Sequence, residues 1–382
     1  MGLTVGIDAS RARSGGAKAH LIGMIREGRP ADHGISQVHV WSYASLSNAL
    51  PERSWLIRHS PVALERGLFW QVMWQRFALP RRARELGCDV VLNTDAGTVA
   101  RFRPSVTMSN DALSYEPGEM SRYKYSKAWL RLMLLRYLQN SSLKSSEGCV
   151  FLTQYMAQLI QQYTGPLPRV QVIPHGTDPE FNTFSSLVQW PANHAEPIKL
   201  VYVSNVALYK HQWHVVRAVS MLARDGYNPK LFLAGGTDGW RAQRLLNEAV
   251  ETHDPRGTLV EALGHVPRDL LPDLLAQSHI FVFASSCEAL SVTLLEGMAS
   301  GLPIASSNRG PLPEVLQQGG VYFDPEDATS IASALKRLIE DSDDRREFAW
   351  HARERSTSFS WERTASMTFA FLAEVARASA ST

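Results

Sequence analysis

The amino-acid sequence predicts an α/β fold in which two Rossmann-like, doubly wound domains face an interdomain cleft. The length of 382 residues allows two or three domains, since domains commonly hold roughly 100–200 residues. Short apolar runs bounded by Gly, Pro or Asn recur in both halves, and such runs are typical of strands buried on both faces of a parallel sheet. Amphipathic stretches between them indicate βαβ units, so each half is predicted to form its own sheet.

The first half is predicted to form an N-terminal domain over residues 1–181. Its apolar runs predict six strands, at residues 3–9, 37–43, 88–93, 105–109, 148–153 and 170–174. Residues 182–197 hold two prolines and show no clear periodicity. They are therefore predicted to form a linker.

The alternation restarts after the linker and predicts a C-terminal domain over residues 198–360. Six further strands are predicted, at residues 198–204, 231–235, 258–263, 279–284, 303–306 and 321–323. Helices are predicted at residues 328–340 and 344–355. Residues 361–382 are predicted to form a C-terminal helix that packs back on the N-terminal domain.

Composition and charge exclude several classes of protein. Hydrophobic residues make up 45% and charged residues 20%, a mixture typical of globular proteins rather than disordered ones. The net charge of +2 argues against a nucleic-acid partner. Cys88, Cys149 and Cys287 lie far apart with no CxxC pair, which excludes a thiolate zinc knuckle and favours buried thiols in a reducing compartment.

The sequence also bears on where the protein acts. Residues 1–10 lack the basic and apolar regions of a signal peptide. Runs of about 18 uninterrupted apolar residues, which a membrane-spanning helix needs, do not occur. We therefore expect a cytoplasmic protein, with peripheral contact at the inner face of the membrane left open.

The loop after the predicted strand at 279–284 carries the most chemical information. Glu288 lies in this loop, and a helix is predicted to begin near Ser291 and to end at Gly301. Glu296 lies early in that helix, whose N-terminus is a potential anion site. Two carboxylates and a helix N-terminus can together hold a sugar, a phosphate and a ribose. The alternative is that two solvated glutamates lie eight positions apart by chance.

Two other loops contain candidate ligand contacts. In the loop after the strand at 198–204, a flexible ammonium at Lys210 could reach a phosphate, and the alternative is a solvated surface lysine. The loop at residues 10–18 contains Gly15 and Gly16, which allow the backbone to approach a ligand closely. It matches neither GxGxxG nor GxxxxGK[ST], and the alternative is a tight connection without a ligand.

Residues 285–315, SSCEALSVTLLEGMASGLPIASSNRGPLPEV, resemble the signature of retaining glycosyltransferases with the GT-B fold. More narrowly, they resemble family 4, which includes many bacterial polysaccharide and lipopolysaccharide glycosyltransferases. Glu288 and Glu296 match the E-x7-E pair of that family. Further matches are Ala299-Ser-Gly301, Pro303, Pro313-Glu314, Leu263-Gly-His-Val266, Phe359-Ser-Trp361 and the strand-loop VIPHGTDPEF at 172–181. The resemblance is strong over residues 148–366.

The resemblance implies a hexosyltransferase-type enzyme that uses a UDP- or GDP-linked sugar donor and a glycan or lipid-linked acceptor. It implies that Glu288 contacts the transferred sugar, Glu296 the nucleotide ribose and Lys210 the diphosphate. Further donor contacts implied are Ser204, Asn205, Leu290, Ser291, Val292, Thr293, Gly15, Gly16 and His265. The N-terminal domain is then the acceptor side. Residues 1–180 carry 21 basic and 14 acidic side chains, whereas the remainder carries 18 and 23.

Three departures from the family pattern mark the site. The usual E-G-F-G is replaced by Glu288-Ala-Leu-Ser291, and Asn205 stands where the family often has an arginine. Many members carry a histidine after the fourth strand of the first domain, where this chain has Asn110 followed by Asp111. Both are candidate catalytic residues, and the Asn110 amide can hydrogen-bond a sugar hydroxyl but cannot act as an acid or base.

The expected mechanism follows from charge. Cleavage of a glycosyl–phosphate bond places negative charge on the departing diphosphate, which Lys210 and the helix N-terminus near Ser291 can stabilise. A same-face retaining transfer is expected, with no cofactor and no metal. The only acidic string of the DxD type, Asp341-Ser-Asp343-Asp344, lies between two predicted helices and is predicted to be a helix cap.

Two functions other than sugar transfer are compatible with the sequence. A nucleotide-sugar 2-epimerase-like isomerase shares the two-lobed fold and would form an isomer without an acceptor. A non-catalytic nucleotide-sugar binder is the other alternative.

Residues 121–145 are basic and partly amphipathic, which is compatible with docking on an anionic membrane. A helix that packs its leucines on the sheet is the favoured interpretation of this segment.

Overall fold

The structure is a computed structural model that describes residues 2–13, 15–183, 188–192 and 196–380. The chain divides into two compact units, unit 1 with Met1–Gly176 and Ser360–Thr382 and unit 2 with Thr177–Phe359. Within the predicted linker of residues 182–197, residues 184–187 and 193–195 lie outside the described residues.

Unit 1 is built around a seven-stranded parallel sheet with the order β3-β2-β1-β4-β5-β6-β7. The strands are β1 (Leu3–Asp8), β2 (Ile35–Trp41), β3 (Leu56–His59), β4 (Val90–Asn93), β5 (Ser105–Ser109), β6 (Gly148–Phe151) and β7 (Val170–Val172). The helices are α1 (Gly15–Glu27), α2 (Ala44–Ala49), α3 (Leu68–Met73), α4 (Leu79–Glu85), α5 (Lys127–Ser145) and α6 (Gln154–Thr164). A π-helical turn, Trp74–Ala78, joins α3 to α4.

Unit 2 is built around a six-stranded parallel sheet with the order β10-β9-β8-β11-β12-β13. The strands are β8 (Ile198–Val203), β9 (Pro229–Ala234), β10 (Val260–Gly264), β11 (Ile280–Phe283), β12 (Ile304–Ser307) and β13 (Val321–Phe323). The helices are α7 (Gln212–Arg224), α8 (Trp240–His253), α9 (Leu271–Ala276), α10 (Val292–Ser300), α11 (Leu312–Leu316), α12 (Ala328–Glu340) and α13 (Ser342–Ser356). The prediction of two doubly wound parallel sheets is confirmed.

Each sheet reverses its strand order at one point, between β1 and β4 in unit 1 and between β8 and β11 in unit 2. In open sheets of this kind, ligands bind outside the carboxyl ends of the strands at this reversal. The central strands are buried on both faces; Ile280–Phe283 of β11, for example, are 0% exposed. The reversal points therefore direct attention to the loops that follow β1, β4, β8 and β11.

The structure also corrects two expectations. The strand β3 is absent from the sequence prediction because it is a short edge strand whose residues are only partly buried, so its apolar signal is weak. The leucines of α5 do not all pack on the sheet, because Leu130 and Leu134 are 65% and 59% exposed whereas Leu132 and Leu143 are buried. The helix-cap interpretation of Asp341 is confirmed, since its side chain accepts hydrogen bonds from the backbone N–H groups of Asp343 and Asp344.

The last helix, α14 (Trp361–Ala380), belongs to unit 1 and packs along α1. The Trp361 ring lies against Gly23 of α1, where a Cβ atom would overlap the indole. Gly23 therefore allows the two helices to approach closely. Among the described residues, every helix is too short or too polar to span a bilayer.

We predict that Gly23→Ala lowers the free energy of unfolding by about 1–3 kcal/mol, because an added methyl group in a packed contact forces backbone or ring displacement. Urea titration followed by circular dichroism measures the change. Gly15→Ala in the same helix is the control, because a Cβ there meets no atom within 4 Å. Equal stability of the two variants would contradict this account of the contact between α1 and α14.

Candidate active site

The loop between β11 and α10 forms the centre of the candidate site in unit 2. Residues 284–291 follow the fully buried β11, and the Ser291 side chain caps α10 by accepting a hydrogen bond from the Leu294 backbone N–H at 3.3 Å. The helix ends at Gly301, whose φ of 76° is left-handed. The predicted helix start and end are therefore confirmed, and the free N–H groups of the first turn lie directly after the Glu288 loop.

The structure brings Lys210 and Glu288 together as an ion pair. The two side chains are only 11% and 13% exposed, so the alternative of a solvated surface lysine is wrong. The pairing follows from topology, because β8 and β11 are neighbours in the sheet and their carboxyl-end loops meet. A buried ion pair of this kind is strongly constrained, since either charge alone would be costly to bury.

Backbone contacts hold the Lys210 loop in place. The buried Tyr202 hydroxyl of β8 donates a hydrogen bond to the Lys210 carbonyl oxygen at 2.7 Å. The Ser286 backbone N–H donates to the Tyr209 carbonyl oxygen at 2.8 Å, which joins the Lys210 loop to the Glu288 loop. The Lys210 ammonium lies 5.0 Å from the centre of the Phe283 ring, within the range of a cation–π interaction.

Ser204 and Asn205, which follow β8, have structural partners. The Gln212 side chain donates hydrogen bonds to the Ser204 Oγ and to the Asn205 carbonyl oxygen, both at 2.9 Å. The Asn205 Oδ1 accepts a hydrogen bond from the Gly236 backbone N–H at 3.1 Å. Asn205, at the position where the related family often has an arginine, therefore fastens the loop after β9 to the loop after β8.

Glu296 is almost completely buried, with 1% exposure. Its Oε1 lies 2.7 Å from Nη2 of Arg268, although no aligned hydrogen bond reaches this oxygen. Burial raises the pKa of Glu296 to about 7, and the Arg268 charge opposes that rise. The Arg268 guanidinium therefore faces this oxygen as a close charge rather than through a well-aligned hydrogen bond.

Arg268 was missed by sequence reasoning. It lies after β10 and pairs with both Glu296 and Asp178, the latter at 2.8 Å. Arg268 lies next to one segment that resembles a family motif, 263–266, and its second partner Asp178 lies inside another, 172–181. The sequence therefore offered one signal for Arg268, namely charged residues in or beside these two segments. The ion pairs themselves depend on the folded geometry and could not be predicted.

The remaining residues predicted to contact the donor lie near the carboxyl edges of the sheets and do not join these ion pairs. Leu290 and Ser291 are buried, Val292 and Thr293 are partly buried at the start of α10, and His265 is exposed after β10. In unit 1, Gly15 and Gly16 are the first residues of α1 rather than part of a loop. The prediction that both glycines belong to a loop at residues 10–18 is therefore wrong, because the helix begins earlier than its apolar periodicity suggested.

Acidic residues gather at the carboxyl edge of the unit 1 sheet. Asn110 and Asp111 follow β5; the Asn110 amide donates to the Thr94 carbonyl oxygen at 2.7 Å, and Asp111 accepts from the Leu113 backbone N–H at 2.9 Å. Asp8 ends β1, and Asp95 follows β4. Burial raises the pKa of all three aspartates, and Asp95 interacts electrostatically with the other two. Asp8 and Asp95 were not predicted as site residues.

The structure also bears on metals and thiols. Within the described part of the chain, no group of three or more His, Cys, Asp or Glu side chains is arranged to hold a metal ion. Metal independence itself stays a prediction. Cys88, Cys149 and Cys287 are all buried and form no disulfide. Burial raises the pKa values of the Cys88 and Cys149 thiols to about 12, which agrees with the expectation of buried thiols.

The fold and the site define a two-unit α/β protein of the GT-B type. The family model "Glycosyltransferase Family 4" matches residues 14–181, and the model "Glycosyl transferases group 1" matches residues 189–355. The N-terminal half of the chain therefore contains a family 4 domain and the C-terminal half a group 1 glycosyltransferase domain.

Individual relatives agree with this assignment. The chain is 27% identical to O-antigen chain mannosyltransferase B of Escherichia coli over 168 residues, 44% of each chain, so the match spans less than half of that relative. It is 27% identical to a glycogen synthase of Mycobacterium tuberculosis over 298 residues, 71% of this chain and 69% of the relative. The Anabaena HepE structure solved with UDP and glucose superposes over all of both chains with a TM-score of 0.68 and 18% identity.

We predict that the stability of the protein depends on pH through Glu296. Because its pKa is raised to about 7, the unfolded chain releases this proton first as the pH rises. The free energy of unfolding should therefore fall between the ordinary glutamate pKa and about pH 7, by on the order of 1–3 kcal/mol. Urea titrations of the wild type and Glu296→Gln at several pH values measure the difference.

Relative to Glu296→Gln, the free energy of unfolding of the wild type should be highest at acidic pH. It should fall as the pH rises and stop changing above neutrality. Glu374→Gln, which changes an exposed glutamate of α14, is the control for general pH effects. If the difference in the free energy of unfolding between the wild type and Glu296→Gln stayed constant with pH, the raised pKa of Glu296 would be contradicted.

Proposed function

We propose that this chain is a retaining glycosyltransferase that moves a sugar from a UDP- or GDP-linked donor to a glycan or lipid-linked acceptor. The observation that carries the proposal is the buried Lys210–Glu288 ion pair beside the N-terminus of α10. Such a pair supplies one cation and one carboxylate at the strand-order reversal, where sheets of this type bind ligands.

The proposed role of Lys210 is to neutralise the leaving diphosphate. Lys210 pairs with Glu288, and a diphosphate beside this pair would give the ammonium a second anionic partner. The N–H groups of the first turn of α10 can donate to the same phosphates, and the helix dipole favours negative charge there. Both groups are fixed before the reaction, so charge that develops on the leaving group meets an environment that is already organised.

Glu288 then has a place beside the transferred sugar, and Glu296 beside the ribose. The buried Glu296 Oε1 without an aligned donor supports the second role, since a ribose hydroxyl could donate to it. Arg268 acts through Glu296 as a positioning residue, because its guanidinium pairs with this carboxyl and is itself anchored by Asp178. We propose a same-face transfer in which phosphate helps to take the acceptor proton, without a metal ion.

The acceptor side is proposed to lie at the carboxyl edge of the unit 1 sheet. Asn110 and Asp111 follow β5 there, and the Asn110 Oδ1 is buried without a hydrogen-bond partner among the described residues. Acidic and amide oxygens suit the many hydroxyl donors of a glycan. Because a relative is named O-antigen chain mannosyltransferase B, synthesis of a surface polysaccharide or lipopolysaccharide is the proposed setting.

We predict that Lys210→Met lowers kcat/KM for transfer by at least about tenfold, which corresponds to about 1.4 kcal/mol of transition-state stabilisation. Release of UDP or GDP from a panel of nucleotide sugars, with and without glycan acceptors, measures the rate. Lys230→Met, which changes a lysine of β9 paired with Glu261, is the matched control and should retain activity.

Lys210→Met leaves Glu288 buried without its cation, so its thermal melt is recorded beside that of Lys210→Met/Glu288→Gln. A folded single variant that keeps more than a tenth of the wild-type kcat/KM would contradict the leaving-group role. A product that is an isomer of the donor, formed without any acceptor, would contradict the transferase assignment itself.

We further predict that Glu296→Ala weakens nucleotide binding by about tenfold, because a ribose hydroxyl loses its buried acceptor. Isothermal titration calorimetry with UDP and GDP gives the Kd values and also identifies the preferred base. Glu374→Ala serves as the surface control. An unchanged Kd in a folded Glu296→Ala protein would remove the ribose assignment.

A further inference from the structure

Unit 1 exposes apolar side chains on α3 and the π-helical turn that follows it. None of the residues of α3 is buried, although five of its six residues, Leu68, Phe69, Trp70, Val72 and Met73, are apolar. Leu68, Phe69 and Phe77 are 64%, 66% and 62% exposed. A short helix normally gains its stability by packing its apolar face, so this face lacks a partner within the described chain.

A second exposed apolar face lies on α5. Leu130, Met133, Leu134 and Tyr137 follow the spacing that places side chains on one stripe of a helix. They are 65%, 38%, 59% and 70% exposed. The opposite side of α5 is the one that packs on the unit, through Leu132, Gln139, Ser142 and Leu143.

Both faces flank the carboxyl edge of the unit 1 sheet. Gln75, in the π-helical turn, donates hydrogen bonds to Asp8 Oδ2 at 2.5 Å and to Ser10 Oγ at 3.1 Å, at the end of β1. On the other side, the Leu135 side chain of α5 lies 3.1 Å from the position of a Cβ on Gly97, in the loop after β4. The two faces therefore belong to the same edge as Asn110 and Asp111.

Basic residues surround both faces. Residues 62–85 contain five arginines and two glutamates, and residues 124–137 contain four basic and no acidic side chains. Arg66 and Arg76 are exposed, and neither forms an ion pair with a carboxylate in the described ranges. A second copy of the chain would bring these like charges together, which disfavours self-association through this surface. An anionic surface complements them.

We propose that the two faces, residues 62–77 and 130–137, form a docking surface for an anionic lipid bilayer. Aromatic side chains insert at the headgroup level, aliphatic side chains enter the acyl boundary, and the arginines contact anionic headgroups. A chain docked in this way presents the carboxyl edge of the unit 1 sheet to the bilayer. A lipid-linked acceptor is then the substrate class, and this last step rests on the proposed function.

The test is sedimentation of the full chain with vesicles of phosphatidylcholine alone or mixed with phosphatidylglycerol. We expect the wild type to bind the mixed vesicles at low salt and to bind phosphatidylcholine less. Phe69→Ser/Phe77→Ser and Leu130→Ser/Leu134→Ser should each reduce the partition coefficient by about tenfold, since each pair removes two inserted apolar side chains. Arg66→Ala/Arg76→Ala should weaken binding only to the anionic vesicles.

Trp350→Ser, which removes a 58% exposed tryptophan of α13, is the matched control and should bind like the wild type. Because the altered side chains are exposed, melting temperatures should stay unchanged. Failure of the folded wild type to bind anionic vesicles at low salt overturns the proposal. The proposal is also overturned if either of the two apolar double variants binds vesicles like the wild type. It is likewise overturned if the wild type binds no vesicles and instead forms a dimer that Phe69→Ser/Phe77→Ser dissociates.

Stabilisation by UDP or GDP, measured as a thermal shift in each variant, separates this proposal from the function proposed above. Vesicle binding by a chain that no nucleotide stabilises supports the docking surface and contradicts the transferase assignment. Nucleotide stabilisation without vesicle binding contradicts the docking surface alone.

Discussion

The Lys210–Glu288 ion pair is the interaction on which the candidate site depends. Each charge is nearly excluded from water, and an isolated ion in that environment would cost several kcal/mol. The pair therefore fixes two loops at once, the one after β8 and the one after β11. Tyr202, from within the sheet, holds the backbone of Lys210, so the charge is anchored to the rigid part of the unit.

A second group of charged side chains connects α10 to the first residues of unit 2. Arg268 connects Glu296 of α10 to Asp178, which lies just after the point where the chain enters the unit. The carboxyl of Glu296 is thus held in a buried position at the cost of a raised pKa. Perturbed ionisable groups in a sheet-edge site are typical of functional positions, and here the physical cause is desolvation that one arginine only partly offsets.

Much of the fold and part of the site could be predicted from the sequence. Apolar periodicity located all strands except β3, and the cap at Ser291 and the left-handed Gly301 could be predicted because capping chemistry is local. The partners of Asn205 and Glu296 could not, because they come from elements distant in sequence. The exposed leucines of α5 were also misjudged, since periodicity identifies an apolar face but not whether another element covers it.

The central claim is that the paired Lys210 and Glu288 form the donor site. Its most direct test is a crystal structure of this chain with UDP or GDP bound. The account predicts the diphosphate within hydrogen-bond distance of the Lys210 ammonium and the first turn of α10, with the ribose at Glu296. A nucleotide bound away from these groups, with the Lys210–Glu288 pair undisturbed, would contradict it.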